Sequence, residues 1–199
     1  MSEASNSWRI TGRKAQHQVA EAILNRWSPR AMSGESIGEE ELFSLFEAAR
    51  WAPSSFNNQP WRFIYAKRDT ASWPKFLNLL VEGNKEWAQH AAVLIVIVSH
   101  NTFEYNNKPS RTHSFDTGAA WMLLALQASI NGLVCHGMEG FDYSRAKTEL
   151  NIPDDYTVEA MCVVGKHGSA QALPAKLQKA EVPSDRKPID DFIFEGEFK

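Results

Sequence analysis

Between roughly Lys14 and Trp27, apolar residues recur at three-to-four spacing (Val19, Ile23, and Trp27 or Ala22), which predicts a first helix. Ser36-Ile-Gly-Glu39 fits a capping box, and the helix it would open carries Leu42, Leu45, Phe46 and Ala49 on one stripe until Pro53 ends it. A polar loop, Ser54 to Gln59, leads into a strand from Trp61 to Ala66. Asp69-Thr70 opens another helix, with Pro74 in its first turn. Ala91 to Val98 is apolar without alternation, the pattern of a strand buried on both faces. Asn101 to His113 reads as the longest loop. The helix from Phe115 to Asn131 has almost no polar side, so it belongs in a core or against a second subunit, and Asn131-Gly132 supplies a left-handed stop. A short strand (Leu133 to His136), a helix (Tyr143 to Leu150) and a strand (Val158 to Gly165) follow. The tail from Ala170 to Lys199 carries Pro174, Pro183 and Pro188 and little periodicity.

This order predicts a layered α+β or α/β domain. With 199 residues, a single domain spanning 1–199 is expected, with residues 1–12 flexible and 170–199 an extended arm. The chain is 43% hydrophobic and 23% charged, which excludes a disordered or collagenous protein. A net charge of −3 gives no general reason to expect nucleic acid or a membrane surface as partner. The two cysteines, Cys135 and Cys162, form neither a disulfide framework nor a zinc motif, and fit a reducing compartment. The longest apolar run is too short to span a bilayer, and the start lacks a signal pattern. A soluble, cytoplasmic protein is expected.

Metal, phosphate-loop and nucleophile-elbow motifs are absent from the sequence. Cys135 beside His136 is a poor thiolate pair, since neighbours on a strand point to opposite faces. Three clusters remain. Arg26-Trp-Ser-Pro-Arg30 offers two guanidinium forks and a hydroxyl suited to phosphate oxygens, although a solvated arginine pair has the same sequence. Ala52-Pro-Ser-Ser-Phe-Asn-Asn-Gln-Pro-Trp61 concentrates amide and hydroxyl groups between prolines, suited to a polar ring or to an ordinary turn. Gly137-Met-Glu-Gly-Phe-Asp142 follows a strand, and its glycines allow close approach by a ligand or simply a tight turn.

Together and in this order, these words resemble the nitroreductase family of FMN-dependent, NAD(P)H-using oxidoreductases. The resemblance runs from about Arg26 to the tail and rests mainly on Ala48-Ala-Arg-Trp-Ala-Pro-Ser-Ser-Phe-Asn-Asn-Gln-Pro-Trp61, with Gly83-Asn84, Trp87 and Gly137 to Asp142 in support. It implies an α+β layered fold, with a mostly antiparallel central sheet flanked by helices and a C-terminal tail swapped in a homodimer. It also implies that Arg26, Ser28 and Arg30 bind the FMN phosphate and ribityl chain, and that Arg186 closes on the phosphate. Pro53, Ser54, Ser55 and Asn57 would reach the flavin across the dimer interface, and Asn84 would hydrogen-bond its ring. Met138, Glu139 and Gly140 would lie along that ring and donate an amide to its N5. Ser184 departs from members with a second basic residue there, and Gly165-Lys-His-Gly168 has no expected role. The implied activity is ping-pong transfer from NAD(P)H to a flat small-molecule acceptor such as a nitroaromatic or quinone. Alternatives are a specialised reductive or dehalogenating enzyme and a non-catalytic flavin carrier or sensor. Because the flavin carries the redox chemistry, no metal and no catalytic acid or base is expected, the Glu139 carboxylate included.

Overall fold

The computed structural model describes residues 8–198. Its centre is an antiparallel sheet of four strands in the order β1 (Trp61–Lys67), β2 (Val93–His100), β4 (Tyr156–Lys166) and β3 (Leu133–Met138). β2 is buried on both faces, as its unbroken apolar run predicts. Leu94, Val96 and Val98 face one core layer, completed by α3 (Trp73–Leu77), α4 (Glu82–Ala88) and α6 (Tyr143–Glu149). Val93, Ile95 and Ile97 face the other, where α2 (Glu39–Arg50) packs with α5 (His113–Ile130). The class is α+β, a fully antiparallel sheet between helices. No helix among the described residues is long and apolar enough to cross a membrane.

Local signals account for most boundaries. Gly132 takes φ 78° directly after α5, which a side chain would resist. Pro74 sits in the first turn of α3, where its missing N–H costs nothing. Three expectations need correction. The helix predicted from Lys14 to Trp27 shrinks to α1 (Glu21–Asn25), because Val19 and Ile23 stay exposed and no buried face holds further turns. The capping glutamate of α2 is Glu41, which accepts the Gly38 N–H at 3.1 Å, so the helix starts from Gly38 rather than Ser36. α4 escapes periodicity because it is two turns long and buries only Trp87 and Ala88.

Residues 1–7 of the expected flexible stretch lie outside the described residues. Trp8 stacks on His167 at 4.7 Å, and its carbonyl accepts the Trp27 indole N–H at 2.9 Å. The tail forms one short helix, α7 (Ala175–Gln178), and is mostly exposed beyond Glu181.

Candidate functional site

β3 is the last strand of the sheet, and the segment after α1 runs along it: the Pro29 carbonyl meets His136 Nδ1 at 3.0 Å. Close backbone contact holds that segment in place. Gly168 N–H donates to the Ala31 carbonyl at 3.0 Å, and a Cβ on Gly168 would stand 2.5 Å from the Met32 carbonyl carbon. Gly165 likewise leaves room for Met32. The Gly165–Gly168 stretch is therefore the seat of the arginine segment, a role the sequence did not reveal.

Arg26, Ser28, Arg30 and Arg186 come together around a cavity of about 350 Å³, joined by Arg13 and His136. Arg13 was not a sequence candidate. It clips the cavity together, donating from Nε to the Ser184 carbonyl (2.9 Å) and from Nη1 to the carbonyls of Arg26 (2.9 Å) and Leu24 (3.2 Å). Where Ser184 brings no charge, Arg13 brings one. Glu181 is occupied in accepting the Arg30 and Ala31 N–H groups, both at 2.7 Å, which docks the tail beside the arginines. None of the four arginines makes an ion pair among the described residues. Burial, followed by the charges of Arg186 and Arg26, holds Arg13 below its usual pKa, and burial with Arg186 does the same to Arg26. Burial also pushes His136 down to about 4, helped by Arg30 and Arg26, so its imidazole is neutral at physiological pH. Among the described residues, the side chains lining the cavity include four guanidinium groups and no carboxylate.

Ser28 also lines a second cavity, of about 440 Å³, whose other walls are Trp121, Gly137, Met138, Glu139, Tyr143 and Glu159. Gly137 has no alternative there, since a Cβ would lie 2.9 Å from Trp121 Cζ2. Gly140 is equally constrained: its Cβ would stand 2.7 Å from Asn84 Nδ2. Asn84 itself lines neither cavity. Its Nδ2 donates to the Gly140 carbonyl at 3.0 Å and fixes the 138–140 segment from α4. Burial, then Glu139 and Glu159, raise the Tyr143 pKa, so its hydroxyl keeps its proton.

Pro53, Ser54, Ser55 and Asn57 lie elsewhere, at the start of β1 and beside α5, and none lines either cavity. Phe56, Asn57 and Gln59 all take positive φ near 50°. Such strain persists only where surrounding bonds impose it. Buried Asp116 accepts the Ser55 N–H at 3.0 Å, Ser54 Oγ accepts the Gln59 N–H at 3.0 Å, and Asn58 bonds the backbone of Thr102 and Glu104. The loop holds Phe56 outward, 78% exposed, beside Phe103 and Tyr105.

Cys135 and Cys162 are free and buried in the α5-side layer, and the hydrogen bond to Cys135, then burial, raises Cys162 well above a usual thiol. His136 points to the opposite face, so the two neighbours form no pair.

A family model described as Nitroreductase family matches residues 23–83 and 70–166. The chain is 27% identical over 194 residues to the protein MhqN of Bacillus subtilis (strain 168), an NAD(P)H nitroreductase by name, covering 81% of this chain and 90% of that one. A crystal structure of an oxidoreductase containing FMN superimposes with TM-score 0.90 and 43% identity over 100% of this chain and 99% of that one. A nitroreductase family protein from Clostridium difficile 630 shares the fold at TM-score 0.70 and 19% identity, over 92% of this chain and 100% of its own.

Proposed function

This chain belongs to the nitroreductase family, and from that premise we propose that it is a homodimer that binds FMN in the joined cavities. It is an NAD(P)H-dependent oxidoreductase. One observation carries the cofactor reading: four guanidinium groups, free of ion pairs among the described residues, line one cavity, and Ser28 is shared between it and a second, mainly apolar cavity walled by Gly137. An FMN phosphate would relieve the crowded positive charge with charge-assisted bonds from Arg26, Arg30, Arg186 and Arg13, with Ser28 beside them. Met138, Glu139 and Gly140 would lie along the ring system, held from behind by Asn84. The 43% identity to an oxidoreductase containing FMN over the whole chain supports this reading.

When bound, the flavin supplies the two-electron chemistry, and the chain's own residues bind, orient and exclude water. NAD(P)H and the acceptor, a nitroaromatic, quinone or similar flat molecule, would occupy the second cavity in turn, which is a ping-pong scheme. The loop carrying Pro53, Ser54, Ser55 and Asn57 would reach the partner's flavin, which fits its absence from the walls of both cavities described above. The exposed tail would cross to the same partner.

Purified protein tests this. The expected preparation is yellow, bleaches anaerobically with NADH or NADPH, and recolours when a quinone or nitroaromatic is added. Colourless protein that takes up no added FMN would sink the cofactor reading, and flavin that resists both nicotinamides would sink the electron-donor reading.

A further inference from the structure

Opposite Tyr143, the wall of the second cavity carries a polar array that no sequence motif announces. Ser99 is the penultimate residue of β2 and is fully buried. Its Oγ lies 2.7 Å from His113 Nδ1 and donates a short hydrogen bond to Glu159 Oε1. Ser114 Oγ donates to the same carboxylate oxygen at 2.7 Å. A serine hydroxyl has one proton, so with that proton on Glu159 the imidazole N–H must be the donor to Ser99. The array is therefore directional, from His113 through Ser99 to Glu159. The side chains of His113 and Glu159 are each 22% exposed, one end open to solvent and the other to the cavity.

The sheet is deformed to place Glu159 there. Ile97 pairs with Ala160 and Val98 with Val158, so Glu159 is the unpaired residue of a β-bulge. The alternation of β4 slips accordingly: Tyr156 and Val158 pack in the same core layer as Met161 and Val163. Bulges re-aim side chains beside active sites at the expense of ladder pairing. A carboxylate at this position, accepting two serine hydroxyls, is more than a solvated strand residue.

Resting on the functional reading above, the geometry points to Glu159 as the proton donor to the reduced acceptor, resupplied from His113 through Ser99. A quinone that takes a hydride becomes a monoanion with one unprotonated oxygen. As charge builds up on the acceptor, the Ser99 Oγ–H bond breaks and its proton passes to the Glu159 carboxylate, and the carboxyl O–H so formed breaks in turn as the new O–H forms on the acceptor oxygen, giving the hydroquinone. The His113 Nδ1 proton replaces the one Ser99 gave, and solvent protonates Nε2 of the same ring as Nδ1 gives up its own. NAD(P)H supplies both electrons. Tyr143 and Glu139 are the other ionisable groups lining this cavity, and Tyr143 keeps its proton.

The test compares p-benzoquinone, which needs this proton, with ferricyanide, whose reduction binds none. Glu159→Gln is expected to lower the quinone-to-ferricyanide rate ratio about a hundredfold, the usual cost of removing a general acid. Ser99→Ala should lower it by a smaller factor and abolish the solvent deuterium isotope effect on the quinone reaction. The proton inventory of the wild-type quinone reaction in mixtures of light and heavy water should curve, since several protons move together. An unchanged ratio in Glu159→Gln, or a linear proton inventory in the wild type, overturns the proposal. If Glu159→Gln fails to fold, Ser99→Ala decides: a wild-type ratio and isotope effect overturn the relay. A wild-type flavin that NAD(P)H cannot reduce sinks the functional reading instead, so the two failures are distinct.

Discussion

Arg26 and Arg30 face a cavity lined by four guanidinium groups that make no ion pair among the described residues. Replacing both with alanine should remove charge-assisted bonds worth about 1.5–3 kcal/mol each, weakening FMN roughly a hundredfold or more. Fluorescence titration of FMN checks this, and an unchanged Kd would overturn the phosphate assignment. His136 yields a second prediction. Its folded pKa of about 4 lies below the ordinary 6.5, so between those values the unfolded chain binds a proton that the folded chain refuses. Stability therefore falls as pH drops through that window, by at most roughly 3 kcal/mol from this group. Urea unfolding at pH 7, 5 and 4 should show a steeper acid loss in wild type than in His136→Gln. Arg26, Ser28 and Arg30 were legible in sequence because they sit within five residues of one another. Arg13 and His136 were not, since only folding brings residues 13, 136 and 186 together and no local pattern marks them.

Elements show the same division between local and distant causes. β2 and α5 were readable because their apolar patterns are long, and Gly132 because it follows at once. α1 fell short for lack of a buried face, α4 was too brief to show a period, and the β4 bulge has no sequence signature. Gly165 and Gly168 offered no motif, yet they seat the arginine segment on the sheet. Gly168→Ala should force that segment outward, costing about 1–3 kcal/mol of stability and loosening FMN as well. Denaturant unfolding and FMN titration on the same variant measure both, and a fully stable variant that binds FMN normally would show that the contact is not needed.

For the whole molecule, α5 poses the question of assembly. Its inner side packs Ala120, Leu124, Ala125 and Ala128 into the core, while Phe115 remains 80% exposed, next to the Asp116 that accepts the Ser55 N–H. The two-sided apolar character read from the sequence is thus half satisfied by this chain, which motivates the dimer. Leu123 packs against the core, so a charge there would damage the fold itself. Phe115→Glu is the cleaner variant: sedimentation should show a folded monomer that has lost FMN, whereas a wild-type monomer that binds FMN would refute the dimeric site. The arginine cavity has one more consequence. Arg13 reaches the Ser184 carbonyl, 171 residues away, and Arg186 completes the ring of charge. Translation proceeds from the N-terminus at about 5–20 residues per second, so the strands and α5 emerge well before the tail. A growing chain therefore cannot complete this ring of charge until Arg186 has emerged, so an anion that needs all four guanidinium groups would be gripped only after the sheet residues are made.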